Sequence, residues 1–139
     1  MRPADLYKFR VTEINKVIDA DSIRCTCNMG IGVNYDDCGN GISVRLYGCD
    51  TEESRTRDME AKKYGLHAKK FVIDFLDAEK IYLWCKGKDK YGRWLGDFKV
   101  GSRWLVAELL KRRLAVPYHG ENKAKIKKLH LANRKLVKL

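Results

Sequence analysis

At Met59 the hydrophobic period of the chain changes from two to between three and four, and near Lys80 it changes back. Ala61, Ala68, Phe71, Val72, Phe75 and Leu76 recur at three- and four-residue spacing, which predicts a helix with a lysine-rich outer face. On both sides the chain alternates instead. Residues 9–18, 22–27 and 42–47 are rich in β-branched side chains, and KIYLWC (80–85) places Ile81, Leu83 and Cys85 on one face. A fifth strand is predicted over 94–100, closed by Gly101. The connection NMGIGVNYDDCGNG reads as a long hairpin loop holding a little extra strand at 31–33. Ser102 is placed to cap a second helix that buries Leu105, Val106, Leu109 and Leu110. Past Pro117 and Gly120 a third helix is expected over about 122–137, with Ile126, Leu129, Ala132 and Leu136 turned inward.

One helix set into a run of strands, with two more at the end, excludes a helical bundle. A chain of 139 residues has room for one core, so residues 1–139 read as a single domain. The class expected is α+β, mainly β: a five-stranded Greek-key barrel of the OB type with three helices, a fold whose face commonly binds nucleic acid.

Charge narrows the partner. A formal net charge of +11 points to a polyanion, DNA or RNA before an anionic membrane surface, and the 45% hydrophobic content argues against a disordered basic tail. No apolar run reaches the length of a membrane span, and the start MRPADLYKFRVTEINK lacks the apolar centre of a signal peptide. The expectation is a soluble monomer kept in the cytoplasm, that of the host cell if the chain is phage-encoded. Five cysteines (Cys25, Cys27, Cys38, Cys49, Cys85) form an odd set without secretory context, so reduced thiols are expected. Cys25, Cys27 and Cys38 lack CxxC spacing, which favours small packing side chains over a zinc site.

Three polar clusters fall at predicted strand ends or turns. VIDADS carries Asp19 and Asp21; alone it is an ordinary Asx-type turn. VRLYGCDTEES carries Arg45, Asp50, Thr51 and Glu53; alone it is a surface ion pair with Thr51 as a helix-start cap. DKYGR, ending in Arg93, is alone a basic turn. Together they hold what phosphodiester hydrolysis needs. Asp21, Asp50 and a backbone carbonyl near Thr51 offer oxygens to a hard cation such as calcium. Glu53 can act as general base on a water. Arg45 and Arg93 can grip phosphoryl oxygens in pairs, which lysine cannot.

The stretches VIDADSI, VRLYGCDTEES, KKYGLHAKKF, DKYGRWLGDF and LVAELLKRRLA, from about Val17 to Ala115, resemble the thermonuclease, or staphylococcal-type nuclease, family. The resemblance implies an OB barrel with three helices and calcium-dependent cutting of DNA and RNA to leave 3′-phosphate ends. It implies metal ligation by Asp21, Asp50 and the Thr51 carbonyl, with Asp19 a carboxylate near the metal. Glu53 is implied as general base, Arg45 and Arg93 as phosphate-binding groups, and Lys90 with Tyr91 as a turn touching bound nucleotide. The long connection before Arg45, the ESRTRDMEAKKYG run and the ending AVPYHGENKAKIKKLHLANR resemble the bacteriophage and prophage branch. Three positions depart from the pattern: Ala20 and Arg113 stand where glycine is usual, and Glu52 where proline is usual. If the first glycine serves a positive φ, Ala20 is strained, and Glu52 adds a carboxylate able to bind the cation or compete with the base.

Tyr118 is placed to stack on a base or to pack the third helix. His119 and His130 lie outside the matched stretches and read as solvated. Two other classes stay open: an OB module that binds nucleic acid without cutting, and an interaction domain of a phage or repair assembly. Intact Glu53, Arg45 and Arg93 count against the first, and binding that ignores DNA and survives high salt would mark the second.

Overall fold

The computed structural model describes residues 6–139; the reading of the chain start as lacking an export segment falls partly on residues 1–5 and lies outside the described residues. Five strands close into a ring. They are β1 (Tyr7–Asp19), β2 (Ser22–Asn28), β4 (Ile42–Leu46), β6 (Ile81–Lys88) and β7 (Trp94–Val100). Their order is β1-β6-β7-β4-β2, and the β1–β2 pairing closes the barrel. All these pairings are antiparallel except β4 on β7, where Arg45 lies opposite Leu95. The short pieces β3 (Asn34–Tyr35), β5 (Cys49–Asp50), β8 (Arg103–Trp104) and β9 (Val116–Pro117) pair at the margins. The expected five-stranded barrel with three helices is what the chain forms, the helices being α1 (Met59–Phe75), α2 (Leu105–Lys111) and α3 (Lys123–Arg134).

The core follows from the alternation. Ile23, Val44, Leu46, Leu83 and Phe98 are almost wholly removed from water and meet Ala68 and Val72 of α1 and Leu105 and Leu109 of α2. Cys25, Cys27, Cys49 and Cys85 are buried in the same core, as small packing side chains. Cys38 is exposed while Cys25 and Cys27 are buried, and no metal-binding cluster of three or more His, Cys, Asp or Glu forms among the described residues. Burial pushes the Cys85 thiol up to about 12, so it is inert as a nucleophile.

Four local expectations are corrected. The extra strand sits at Asn34–Tyr35 and not at 31–33, because Met29 N–H bonds Val33 O (2.7 Å) and turns the chain, leaving Ile31 at φ 53° and fully exposed. Ser102 does not cap α2: Trp104 holds the cap position without a side-chain bond, and the buried Asp97 of β7 accepts from Val106 N–H (3.0 Å). Helix α1 is capped by Asp58, which accepts from Glu60 and Ala61 N–H, so Thr51 is no helix cap. Helix α3 turns Ile126 and His130 inward, while Leu129 and Leu136 are 37% and 66% exposed.

The strain expected at Ala20 is absent: its φ is not positive and its methyl is buried in the core. Arg113 does carry φ 61° just past α2, where Leu114 N–H reaches back to Leu109 O (2.9 Å). A left-handed arginine costs about 1 kcal/mol, so the missing glycine is felt here.

Candidate active site

The turn between β1 and β2 and the end of β4 meet because Leu46 N–H donates to Asp21 O (2.9 Å). That bond brings the first and second polar clusters together. Arg45 then lies between two carboxylates, with Nη1 3.1 Å from Asp21 Oδ2 and Nη2 3.2 Å from Asp50 Oδ1. Its guanidinium also donates to Leu46 O and Cys49 O. The Arg45 side chain is 14% exposed, so its position is set from every side. Asp21 is further held by Thr51 N–H (3.1 Å). Burial raises its carboxyl above the usual range, against the lowering pull of Arg45 and of the Thr51 bond.

Asp19 lies beside this centre rather than within it. Its Oδ1 accepts from Ser54 N–H (2.9 Å) and from the Ser54 hydroxyl, tying the β1 end to the segment that follows Glu53. Helix α1 supports the same segment from below. A Cβ built on Gly65 would stand 2.3 Å from Glu53 O, so only glycine lets the helix and the loop touch. Glu53 itself is exposed and lines a cleft of about 380 Å³ with Asp50, Thr51, Lys127 and His130.

Arg93 approaches from the other side, on the turn between β6 and β7. Asp89 holds it by a 2.7 Å pair to Nε and by a bond from its own N–H (2.9 Å); Asp89 also accepts from Tyr91 N–H (2.9 Å). Arg45, Arg93, Lys90, Tyr91 and Tyr118 line a second cleft of about 430 Å³. The two clefts share Tyr118, and the Arg45–Asp50 pair joins them. Tyr118 is set by its N–H on Gly48 O (3.0 Å) within the β5–β9 strap. Eight of the ten residues singled out from the sequence line this connected pair of clefts, while Asp21 joins them through Arg45 and Asp19 through Ser54.

The donor set is of the kind a hard cation takes, although Arg45 and His130 engage Asp21 and Asp50 here. Asp21, Asp50 and the Thr51 backbone supply oxygens alone, and the Thr51 hydroxyl beside them is buried without a partner.

A family model described as staphylococcal nuclease homologue matches residues 43–136. The chain belongs to that family. No curated protein matches it. The staphylococcal nuclease homologue match begins at Ser43, so Asp19 and Asp21 lie ahead of it while Arg45, Asp50, Glu53 and Arg93 lie within it.

Several residues that shape this candidate site were not assigned to it from the sequence. His130, expected in solvent, is buried with Nε2 2.8 Å from Asp50 Oδ2. Arg134 meets Glu52 with both forks, Nε 3.0 Å from Oε2 and Nη2 on Oε1. The added carboxylate at Glu52 is thus taken up by α3 and not left free beside Asp50. The signal was available: Ile126, His130 and Arg134 recur at four along one helix face. Gly65 also had a signal, as a glycine inside a helical pattern that implies a close approach.

Proposed function

We propose that the protein is a calcium-dependent nuclease that hydrolyses DNA and RNA phosphodiesters with little regard for sequence or sugar, leaving 3′-phosphate and 5′-hydroxyl ends. The observation that carries this reading is the placement of Arg45, bridging Asp21 and Asp50 at 3.1 and 3.2 Å, between a cleft with Glu53 and a cleft with Arg93. Binding alone does not need two arginines and an exposed glutamate around paired aspartates.

In this mechanism Glu53 takes the proton of the attacking water, whose oxygen forms the new bond to phosphorus. Arg45 and Arg93 donate to the phosphoryl oxygens as their charge builds, and the 5′ oxygen leaves and acquires a proton. Calcium, held by Asp21, Asp50 and the Thr51 carbonyl with Asp19 close by, supplies when bound a positive charge that screens the phosphate from the nucleophile. Lys90 and Tyr91 steady the nucleotide at the turn, and Tyr118 gives its ring to a base. In this reading the protein acts as a monomer in the cytoplasm, and the resemblance of the long connection before Arg45 and of the ending AVPYHGENKAKIKKLHLANR supports the phage branch.

The test is cleavage of plasmid DNA and of RNA by wild type and Glu53→Gln, with calcium and with chelator. The expected result is calcium-requiring cutting that drops about a hundredfold in the variant, within the range of a lost general base. Binding of DNA by both proteins at low salt with no cutting under any cation would establish a non-catalytic OB module instead.

A further inference from the structure

The outer face of the barrel formed by β1, β6 and β7 carries a second basic and aromatic surface, away from Asp21 and Asp50. Register sets its composition. Lys8 lies opposite Trp84, Arg10 opposite Tyr82, Tyr82 opposite Lys99, and Lys99 opposite Trp104. Because side chains alternate, the inward residues of β6 are Ile81, Leu83 and Cys85, and the outward row is Tyr82, Trp84 and Lys86. Cations lie over the rings: Lys8 Nζ is 4.5 Å from the Tyr82 centroid and 5.1 Å from that of Trp84, and Lys99 Nζ is 5.1 Å from that of Trp104. Trp84 and Trp104 stand 5.7 Å apart. Among the described residues neither Lys8, Arg10 nor Lys99 pairs with a carboxylate. β6 contains no acidic residue, and the one acid of β7, Asp97, is buried.

Cations covering rings on a wet sheet face are common packing. Two observations go further. Among the described residues the positive side chains form no ion pair with a carboxylate, Arg10 Nη2 donating to the backbone O of Glu79 (3.4 Å), and the outward row leads on to the cleft: Lys86 Nζ sits 3.2 Å from Tyr47 Oη, and both line the cleft of Arg45 and Arg93. We infer that this face is a track for single-stranded nucleic acid, carrying the part of a strand that extends past the cleft over Lys86 to Trp84 and Tyr82. Rings accept any base, and Lys8, Arg10 and Lys99 meet the phosphates between them. A duplex hides its base faces from such rings, so the occupant is a single strand. The inference rests on the nuclease reading only in taking that cleft as the place where the strand is cut.

The test compares single strands of about 4 and about 16 nucleotides, lengths bracketing the site sizes of OB folds. Binding is measured in chelator for wild type and for the combined variant Lys8→Gln, Arg10→Gln, Lys99→Gln. The expected result is a loss of about tenfold for the long strand, none for the short one, and a salt slope shallower by about 2, as three lost single-strand contacts require. In Tyr82→Leu the long strand should lose about tenfold at low and high salt alike, the share of one stacked base. Equal losses at both lengths, no loss at either, or an equal loss on a duplex of the same length would overturn the track. Cutting of the short strand by the wild type with calcium is scored separately, so its failure sinks the nuclease reading while the length comparison still decides the track.

Discussion

Arg45 and Arg93 face one cleft and are assigned the same chemistry, yet the protein holds them in different ways. Arg45 is 14% exposed and bonded to two aspartates and two carbonyls drawn from the β1–β2 turn, the end of β4 and β5. Arg93 is 38% exposed and held by Asp89, four residues away in the same turn. Arg45 is therefore part of what joins the barrel, whereas Arg93 is presented by a self-contained loop. The difference teaches that charge chemistry and folding can be carried by one residue or kept apart, within one site.

The largest effect should come from Arg45→Met. It removes a phosphate grip, for a loss of activity of about a hundredfold or more. It also strands the buried Asp21 beside Asp50, lowering stability by about 3 kcal/mol, as expected when one partner of a buried pair is removed. Urea midpoints and initial rates on the same preparation measure both. Arg93→Met should lose activity by a similar factor of about a hundred while stability moves by less than about 1 kcal/mol, in keeping with an exposed local pair. Equal losses of stability in the two variants would break the comparison.

Asp97 sharpens it, as a buried carboxylate that has no guanidinium. Burial lifts its folded pKa from 3.8 to about 6, although the N–H groups of Val106 and Phe98 pull the other way. Between those values the unfolded chain has released a proton that the folded chain still holds. Stability from this group is therefore present below about pH 4 and lost as pH rises through about 6. Asp97→Asn keeps the oxygen that accepts from Val106 and Phe98 and cannot ionise. Its stability should be flatter between pH 4 and 6, with a gain on the order of 2 kcal/mol over wild type at pH 7, read from denaturant midpoints across that range. A variant no more stable than wild type at pH 7 would mean that burial alone does not burden a carboxylate here, and would shrink the structural role given to Arg45.

What the sequence made legible was whatever local spacing records. The alternation in 80–85 and the three-and-four spacing from Ala61 to Leu76 reflect which side of each element is dry, so the barrel and its first helix could be read from them. The candidate site residues could be singled out because turns concentrate them in three short clusters. The inward face of α3 was legible only as one of two competing spacings. Leucines at 129 and 136 suggest burial, but His130 and Arg134 find carboxylates on Asp50 and Glu52, some eighty residues earlier, and those pairs rotate the helix about one position. The cap of α2 failed for the same reason: Ser102 is near in sequence, while Asp97 is near in space. The recurrence of Ile126, His130 and Arg134 at four marks the face, but nothing local says which carboxylates the two cations will meet.

The single parallel pairing, β4 on β7, has a bearing on how the protein comes into being. A parallel neighbour cannot be reached by a tight turn, and the chain between Arg45 and Arg93 includes all of α1 and β6. The two arginines become neighbours only through a contact of long sequence separation, the kind whose loop entropy is met late and slowly. A fragment or a half-folded chain can hold every residue of either cluster and still have no cleft. Ligand binding at that cleft is thus all-or-none with ring closure, which makes it a check on the finished fold.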